Sequence, residues 1–290
     1  MVWVENNRLS SRVLEMWDKR FVPGYDLFFF KQEPREFKVI SRKEGYDTLS
    51  LDERTSFLTW NVHHEAEWIA KVSNELFLSL DKDKQQKLLL SQVEYGRGYY
   101  FKYKDLLTLD SDPATVAILD DCCLMYKKEK IVVFQGWSWR QLPLSFRFKL
   151  LEMISRNFVS SSSLKVGEEM GSSELINTFI SSNGPNCFSF TLMNLDKEAA
   201  QTYTKTWVKE KEFLSLLNSY GYHAKARNHV TPQDVLVWFQ NNQAVHGCYA
   251  ISGAHVLNKN GQTMFHPYQC LPLSDVMNTW KSSTLVIYSK

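Results

Sequence analysis

Apolar and polar positions change their period several times along this chain. In the first half, "YDLFFFK" (25–31) and "EFKVISR" (36–42) read as strands, while "HHEAEWIAKVSNELFLSL" (63–80) repeats apolar residues at the helical interval. "DKDKQQKLLLSQV" (81–93) predicts a helix with Asp81 or Asp83 as N-cap. "TVAILDDCCLMY" and "KIVVFQGWSW" flank the polar "KKEK" (127–130) and predict a hairpin, and "LPLSFRFKLLEMISRNF" (142–158) predicts a closing helix.

A run of serines, Ser160 to Ser163, is the one linker-like shift in composition, and it sets the expected domain boundary. After it, "SELINTFISS" (173–182) reads as a short helix, and the turn Gly184-Pro185-Asn186 leads into the apolar "CFSFTLMNL" (187–195). A long helix is expected over 196–221, ending at Gly221 as its C′ residue. Then "DVLVWFQ", "AVHGCYAIS" and "AHVLNKNG" follow as strands, the first two joined by Asn241-Asn242, and "STLVIYS" adds a last one. Helices followed by an antiparallel meander predict an α+β architecture, with residues 1–160 as one α+β domain of unassigned role and 165–290 as another.

Composition narrows the class. The chain has 290 residues, 44% hydrophobic and 23% charged, as expected of a folded globular protein. A formal net charge of +2 gives no strong electrostatic hold on nucleic acid or an anionic membrane, so no nucleic-acid partner is expected. The first thirty residues lack a basic start followed by an apolar core, and no apolar run approaches the roughly 18 residues of a membrane span. Five cysteines, odd in number and sparse, fit a reducing compartment. The expectation is a cytoplasmic protein of unknown oligomeric state with no signal peptide.

One cysteine is placed to do chemistry. Cys187 sits where a helix should begin, behind Asn186 as a possible N-cap, so backbone N–H groups would point at its sulfur and lower its pKa. A thiol nucleophile needs an imidazole, and the imidazole needs a group that holds its tautomer. His246 lies early in a strand. A tight turn at Ser252-Gly253 would bring Asn258, twelve residues on, beside it (258 − 246), with His255 and Asn260 as alternatives in the same stretch. The competing explanation is a buried cysteine, a strand histidine bonded to a carbonyl and an asparagine in a turn.

The order of these residues resembles the NlpC-like papain-fold cysteine peptidases, in which an Asp-Leu-Val-type strand precedes a His-Val-Gly-Ile-Tyr-type strand. Here "PQDVLVWF" is followed by "HGCYAISG" and "HVLNKNGQ". The resemblance covers about residues 170–290 and implies a papain-like domain with Cys187 as nucleophile, His246 as base and Asn258 as orienting residue. It implies a cysteine hydrolase, peptidase or amidase, acting on a small or cell-wall-type peptide without a cofactor. Trp238, Tyr249 and "PYQ" (267–269) are the candidates to line the cleft, with core packing as the default explanation for each. The chain departs from the family at "NCFS", where Asp commonly precedes the cysteine and Ser-Gly follows it, and at Asn258, where His is common. A thiol acyltransferase and a non-catalytic binding module on the same scaffold remain as alternatives.

Other signals carry less. "HHEAEW" (63–68) lacks the second histidine of a zinc helix, because Trp68 stands four residues after His64, and it reads as a solvated helix face. Cys122-Cys123 reads as a vicinal pair in an apolar strand, facing opposite ways. His223, His229 and His266 have no partners at ligand spacing, so no metal is expected. No phosphate-binding glycine motif is present.

Overall fold

The computed structural model describes all residues except 55–58, 60, 61, 99, 165–174 and 227. Two compact units divide the chain: Glu15–Met153 form one, and Met1–Leu14 join Ile154–Lys290 in the other. The N-terminal strands β1 (Val2–Val4) and β2 (Asn7–Leu9), a hairpin pairing Val2 with Leu9, thus belong with the C-terminal half. The division falls at Met153, just before the serine run.

In the unit Glu15–Met153, α1 (Ser11–Phe21) leads into two three-stranded antiparallel sheets. The first holds β3 (Tyr25–Phe30), β4 (Val39–Ser41) and, between them, β5 (Trp68–Ser73). Residues 68–73, expected to be helical, form this central strand because Ile69, Ala70 and Val72 are buried between neighbours on either edge. Only 74–79 of that stretch is helical. Helices α2 (Arg42–Thr48) and α3 (Leu51–Arg54) precede it, and α4 (Asn74–Ser79) follows, capped by Ser73.

Helix α5 (Lys82–Glu94) is capped by Asp81, whose carboxylate accepts from Lys84 N at 2.8 Å. Its buried Gln92 bonds both backbone groups of Phe29, accepting at 2.8 Å and donating at 3.0 Å, so one side chain continues the strand's hydrogen bonding.

The second sheet, β6 (Phe101–Lys102), β7 (Cys123–Tyr126) and β8 (Glu129–Val132), contains the expected hairpin in shortened form. Helix α6 (Tyr103–Leu107) follows β6, and α7 (Pro113–Cys122) takes up most of the segment read as a strand. Asp112 caps α7 by accepting from Ala114 N, and Pro113 occupies its first turn, signals that outweigh the β-branched residues behind them. Cys122 therefore ends a helix and Cys123 starts a strand. Helices α8 (Gly136–Gln141) and α9 (Leu144–Ser155) close the unit's chain segment.

In the other unit, 175–182 is not helical: Thr178 bridges Arg8 and Tyr268 as an extended link, and Ser173 and Glu174 lie outside the described residues. Helix α10 (Cys187–Leu195) begins at the expected place. The long helix expected over 196–221 is two pieces, α11 (Ala200–Tyr203) and α12 (Glu210–Ser219). Between them lie Thr204, Thr206 and Val208, and Thr206 Oγ1 returns to Thr202 O, a local bond that competes with helix continuation. Gly221, at φ +80°, is the C′ residue.

The sheet of this unit has six antiparallel strands in the order β13-β12-β11-β10-β14-β9: β9 (His223–Lys225), β10 (Val235–Gln240), β11 (Gln243–Ala250), β12 (His255–Asn258), β13 (Gln269–Pro272) and β14 (Thr284–Ser289). The turn between β10 and β11 places Asn241 and Asn242 at φ 50° and 61°, the left-handed pair that tight hairpins require. Helix α13 (Leu273–Thr279) follows β13. Val235, Val237 and Leu257 pack with α10 and α12 on one face. Leu236, Trp238, Cys248 and Val256 pack with Leu273, Val276 and Trp280 on the other. The molecule is mixed α+β, and no helix among the described residues is long and apolar enough to cross a membrane.

Candidate functional site

Helix α10 starts where it does because Asn186 caps it reciprocally. Its Oδ1 accepts from Ser189 N at 3.0 Å, Ser189 Oγ accepts from Asn186 N, and Asn186 Nδ2 is tied to Val208 O at 2.8 Å. Cys187 is the first helical residue. The amides of Gly247, Phe188 and Cys187 itself are directed at its sulfur, and each favours the thiolate. Burial opposes them and wins: the side chain is 8% exposed, inside the cluster of Phe188, Phe213 and Leu257, and the thiol is pushed up to about 11.

His246 sits in β11 opposite Trp238 of β10, just where a register shift between Trp238 and Phe239 interrupts the ladder. Its ring stacks on that of Trp280, centroids 4.6 Å apart at 13°, with the Trp238 ring 5.4 Å away. Nε2 meets Asn258 Oδ1 at 2.7 Å, with both residues about 1% exposed. The amide oxygen only accepts, so Nε2 carries the proton and Nδ1 holds the lone pair. Burial holds the imidazole neutral, down at about 4, although the Asn258 contact alone would raise it.

Of the three expected residues two come together, and Cys187 lies on the opposite face of the sheet from the imidazole. His246 and Asn258 pair directly. Gly247, the next residue of β11, turns its Cα to the Phe188 and Phe213 rings on the Cys187 side, and its backbone favours the thiolate, while the imidazole faces the tryptophans on the other side. Among the described residues, no hydrogen bond joins sulfur and imidazole.

Of the residues expected to line a cleft, Trp238 is buried under the imidazole and offers no surface, as do Tyr268 and Gln269; Tyr249 is half-buried against the α10 cluster. His255 bonds Ser252 at the turn and Asn260 accepts from Asn258, so neither replaces Asn258 beside the imidazole.

A neighbour that the sequence did not reveal is Lys259. It is 0% exposed, its Nζ donates to Thr263 O at 3.2 Å and His266 O at 2.7 Å, and its charge would favour a thiolate at Cys187. Burial drives its pKa well below the usual lysine range. In "NKNGQ" it reads as a turn lysine. Alternation from Asn258 is the signal that could have found it, since that residue faces the opposite way.

Beyond Asn258 a cleft of about 200 Å³ is lined by Phe158, Ser160, Asn260, His266, Asp275 and Thr279, among others. Away from this unit, "HHEAEW" is an exposed turn running into β5 rather than a helix face. The ligand atoms of His63, His64 and Glu65 lie within 4.8 Å of one another there, and Glu65 is engaged by Lys31. All five cysteines are free. Compared with protein-family models, with curated proteins and with solved structures, the chain gives no match.

Proposed function

We propose that the unit containing Ile154–Lys290 is a papain-like, NlpC-like cysteine hydrolase that cleaves an amide bond in a small or cell-wall-type peptide. One observation carries the reading: the imidazole bonded through Nε2 to Asn258 belongs to β11, the strand against which the helix that begins at Cys187 packs. The resting pair is a neutral thiol and a neutral imidazole, so the chemistry is general-base-assisted attack rather than attack by a standing thiolate.

In the first step, movement of the β11 backbone at 246–247 brings the imidazole from the tryptophan face to the face that holds Cys187. The thiol proton then reaches Nδ1 of His246 as sulfur bonds to the carbonyl carbon. The oxyanion is met by the Cys187 N–H at the start of α10. Collapse expels the amine, which takes the proton back from the imidazolium, and a thioester remains. Water then gives its proton to Nδ1 and attacks the thioester, releasing the acid and restoring the thiol. Asn258 keeps the imidazole in the tautomer these steps need. Free cysteines throughout the chain fit work in a reducing compartment.

Incubation with short peptides, including γ-linked and D-residue-containing ones, tests the reading by mass spectrometry. Cleavage lost in Cys187→Ala and His246→Ala supports it, and cleavage unchanged in both overturns it. Release of the acyl group to an added amine in place of water would identify a transferase. The buried, high-pKa thiol favours a second reading, a binding module with no thiol chemistry. That reading gains if Cys187 stays inert to every electrophile.

A further inference from the structure

Three groups able to ligate a metal ion meet in the unit Glu15–Met153, outside the chemistry proposed for Cys187. His63, His64 and Glu65 are exposed, and one ligand atom of each lies within 4.8 Å of the others. A zinc helix would need its second histidine at position 68, but this stretch is a turn and Trp68 already belongs to β5. In an extended chain, neighbouring side chains point to opposite faces. Here the turn brings the two imidazoles together, with ring centroids 4.2 Å apart.

The turn is held by its backbone. Arg42 donates to the carbonyls of His63 at 2.7 Å, Val62 at 3.2 Å and Ala66 at 3.3 Å. His63 N donates to Tyr95 O at 2.8 Å and Glu67 N to Phe30 O at 2.9 Å. The guanidinium is thus committed to backbone oxygens, and the three ligand side chains are left at the surface.

Glu65 N donates to His63 Nδ1 at 3.4 Å, so that nitrogen bears a lone pair, and it stands 3.7 Å from Glu65 Oε2. Tetrahedral zinc, with bonds of about 2.1 Å to imidazole and carboxylate, needs neighbouring ligand atoms roughly 3.4 Å apart. One edge of that polyhedron is nearly in place, and the 4.8 Å limit leaves the exposed His64 ring little distance to travel. The same carboxylate oxygen is held by the ammonium of Lys31, whose contact keeps the Glu65 carboxyl below its usual range. Lys31 has a second partner when displaced, the ring of Tyr95, whose centroid is 6.0 Å from its nitrogen.

We propose that His63, His64 and Glu65 form a binding site for a divalent transition ion of the zinc class, and that Lys31 holds the carboxylate until the ion displaces it. Two imidazoles and one carboxylate suit zinc, copper or nickel better than calcium or magnesium, which take oxygen ligands. Three protein ligands leave a coordination position open to water or another donor. The site is independent of Cys187 and of any activity.

The test is zinc titration of the full chain, free of affinity tags, at pH 7.5 in competition with a chromophoric chelator. Each variant is first shown to unfold at a wild-type-like midpoint without metal. Wild type is expected to bind one zinc ion. His63→Ala, His64→Ala and Glu65→Gln are each expected to weaken it at least about tenfold, the smallest loss typical even of groups that only support a ligand. Lys31→Met is expected to tighten it by up to about fivefold, the worth of one exposed ion pair. Cobalt(II) in place of zinc should give a spectrum without a thiolate charge-transfer band.

No zinc uptake by wild type, or affinity unchanged in the three ligand variants, would overturn the inference. A thiolate band that persists in those variants would do the same by placing the metal on cysteine. Binding to Lys31→Met no tighter than to wild type would contradict the displacement.

Discussion

His246 Nε2 and Asn258 Oδ1 lie 2.7 Å apart between two strands, with neither side chain in contact with solvent. A buried imidazole N–H without an acceptor costs about 1–3 kcal/mol. Asn258→Ala is therefore expected to lower stability by that amount in urea unfolding at pH 7.5. A change within about 0.5 kcal/mol, the range of an ordinary surface substitution, would mean the bond contributes no more than contact with water.

Burial of neutral imidazoles makes stability depend on acid. His246 is held at about 4 and His266 at about 3, against an ordinary value near 6.5. Both folded-state values lie below the unfolded ones, so the contribution is complete above about pH 6.5 and is lost as pH falls towards 4. For His246 alone the span corresponds to roughly 3 kcal/mol. Unfolding midpoints should fall steeply from pH 6.5 to 4.5, and His246→Phe should shallow that slope.

Lys259 acts at the other end of the scale. Its folded pKa lies below that of an unfolded lysine, so its burial weakens the fold most at low pH, and stability is regained as pH rises towards the unfolded value. Cys187, raised to about 11, begins to work the other way only above about pH 9, the ordinary thiol value. Between pH 7 and 9 wild-type stability should rise, and Lys259→Met should flatten that rise. Differential scanning calorimetry at several pH values in this window measures both.

Gly247 separates the two halves of the site. A Cβ there would stand 3.2 Å from Phe188 Cδ1 and 3.2 Å from Phe213 Cζ, with the Cys187 helix directly behind. Gly247→Ala is expected to cost about 1–3 kcal/mol by overpacking. It should also change the reactivity of Cys187 without touching His246, which peptide-resolved alkylation would report.

Much of this unit was legible because its local signals agree with each other. The Asn241-Asn242 turn, the apolar run "VLVWF", the cap at Asn186 and the twelve-residue interval to Asn258 each agree with the same unit. Failures came where tertiary packing decides. Residues 68–73 carry helical spacing but fill the centre of a sheet, and 115–122 looks like a strand but starts from Asp112-Pro113. Trp238 and Tyr268, candidates for a cleft with packing as the default, are fully covered. Lys259 was missed because alternation from Asn258 gives the side it takes but not whether it folds inward onto two carbonyls or stays in water. The side of β11 taken by the imidazole was equally hidden, since the register shift at Trp238 cannot be read from alternation.

Everything functional depends on whether the imidazole of His246, on one face of β11, can reach the thiol of Cys187 on the other. The most direct measurement is the rate at which a peptidyl chloromethyl ketone labels Cys187 at pH 7, followed by peptide mapping, in wild type and His246→Ala. General-base assistance is worth about 10²–10⁴-fold. The account predicts labelling of Cys187 ahead of the other four cysteines, with a loss in that range on substitution. Equal rates in the two proteins, with Cys187 no faster than Cys248 or Cys270, would contradict it.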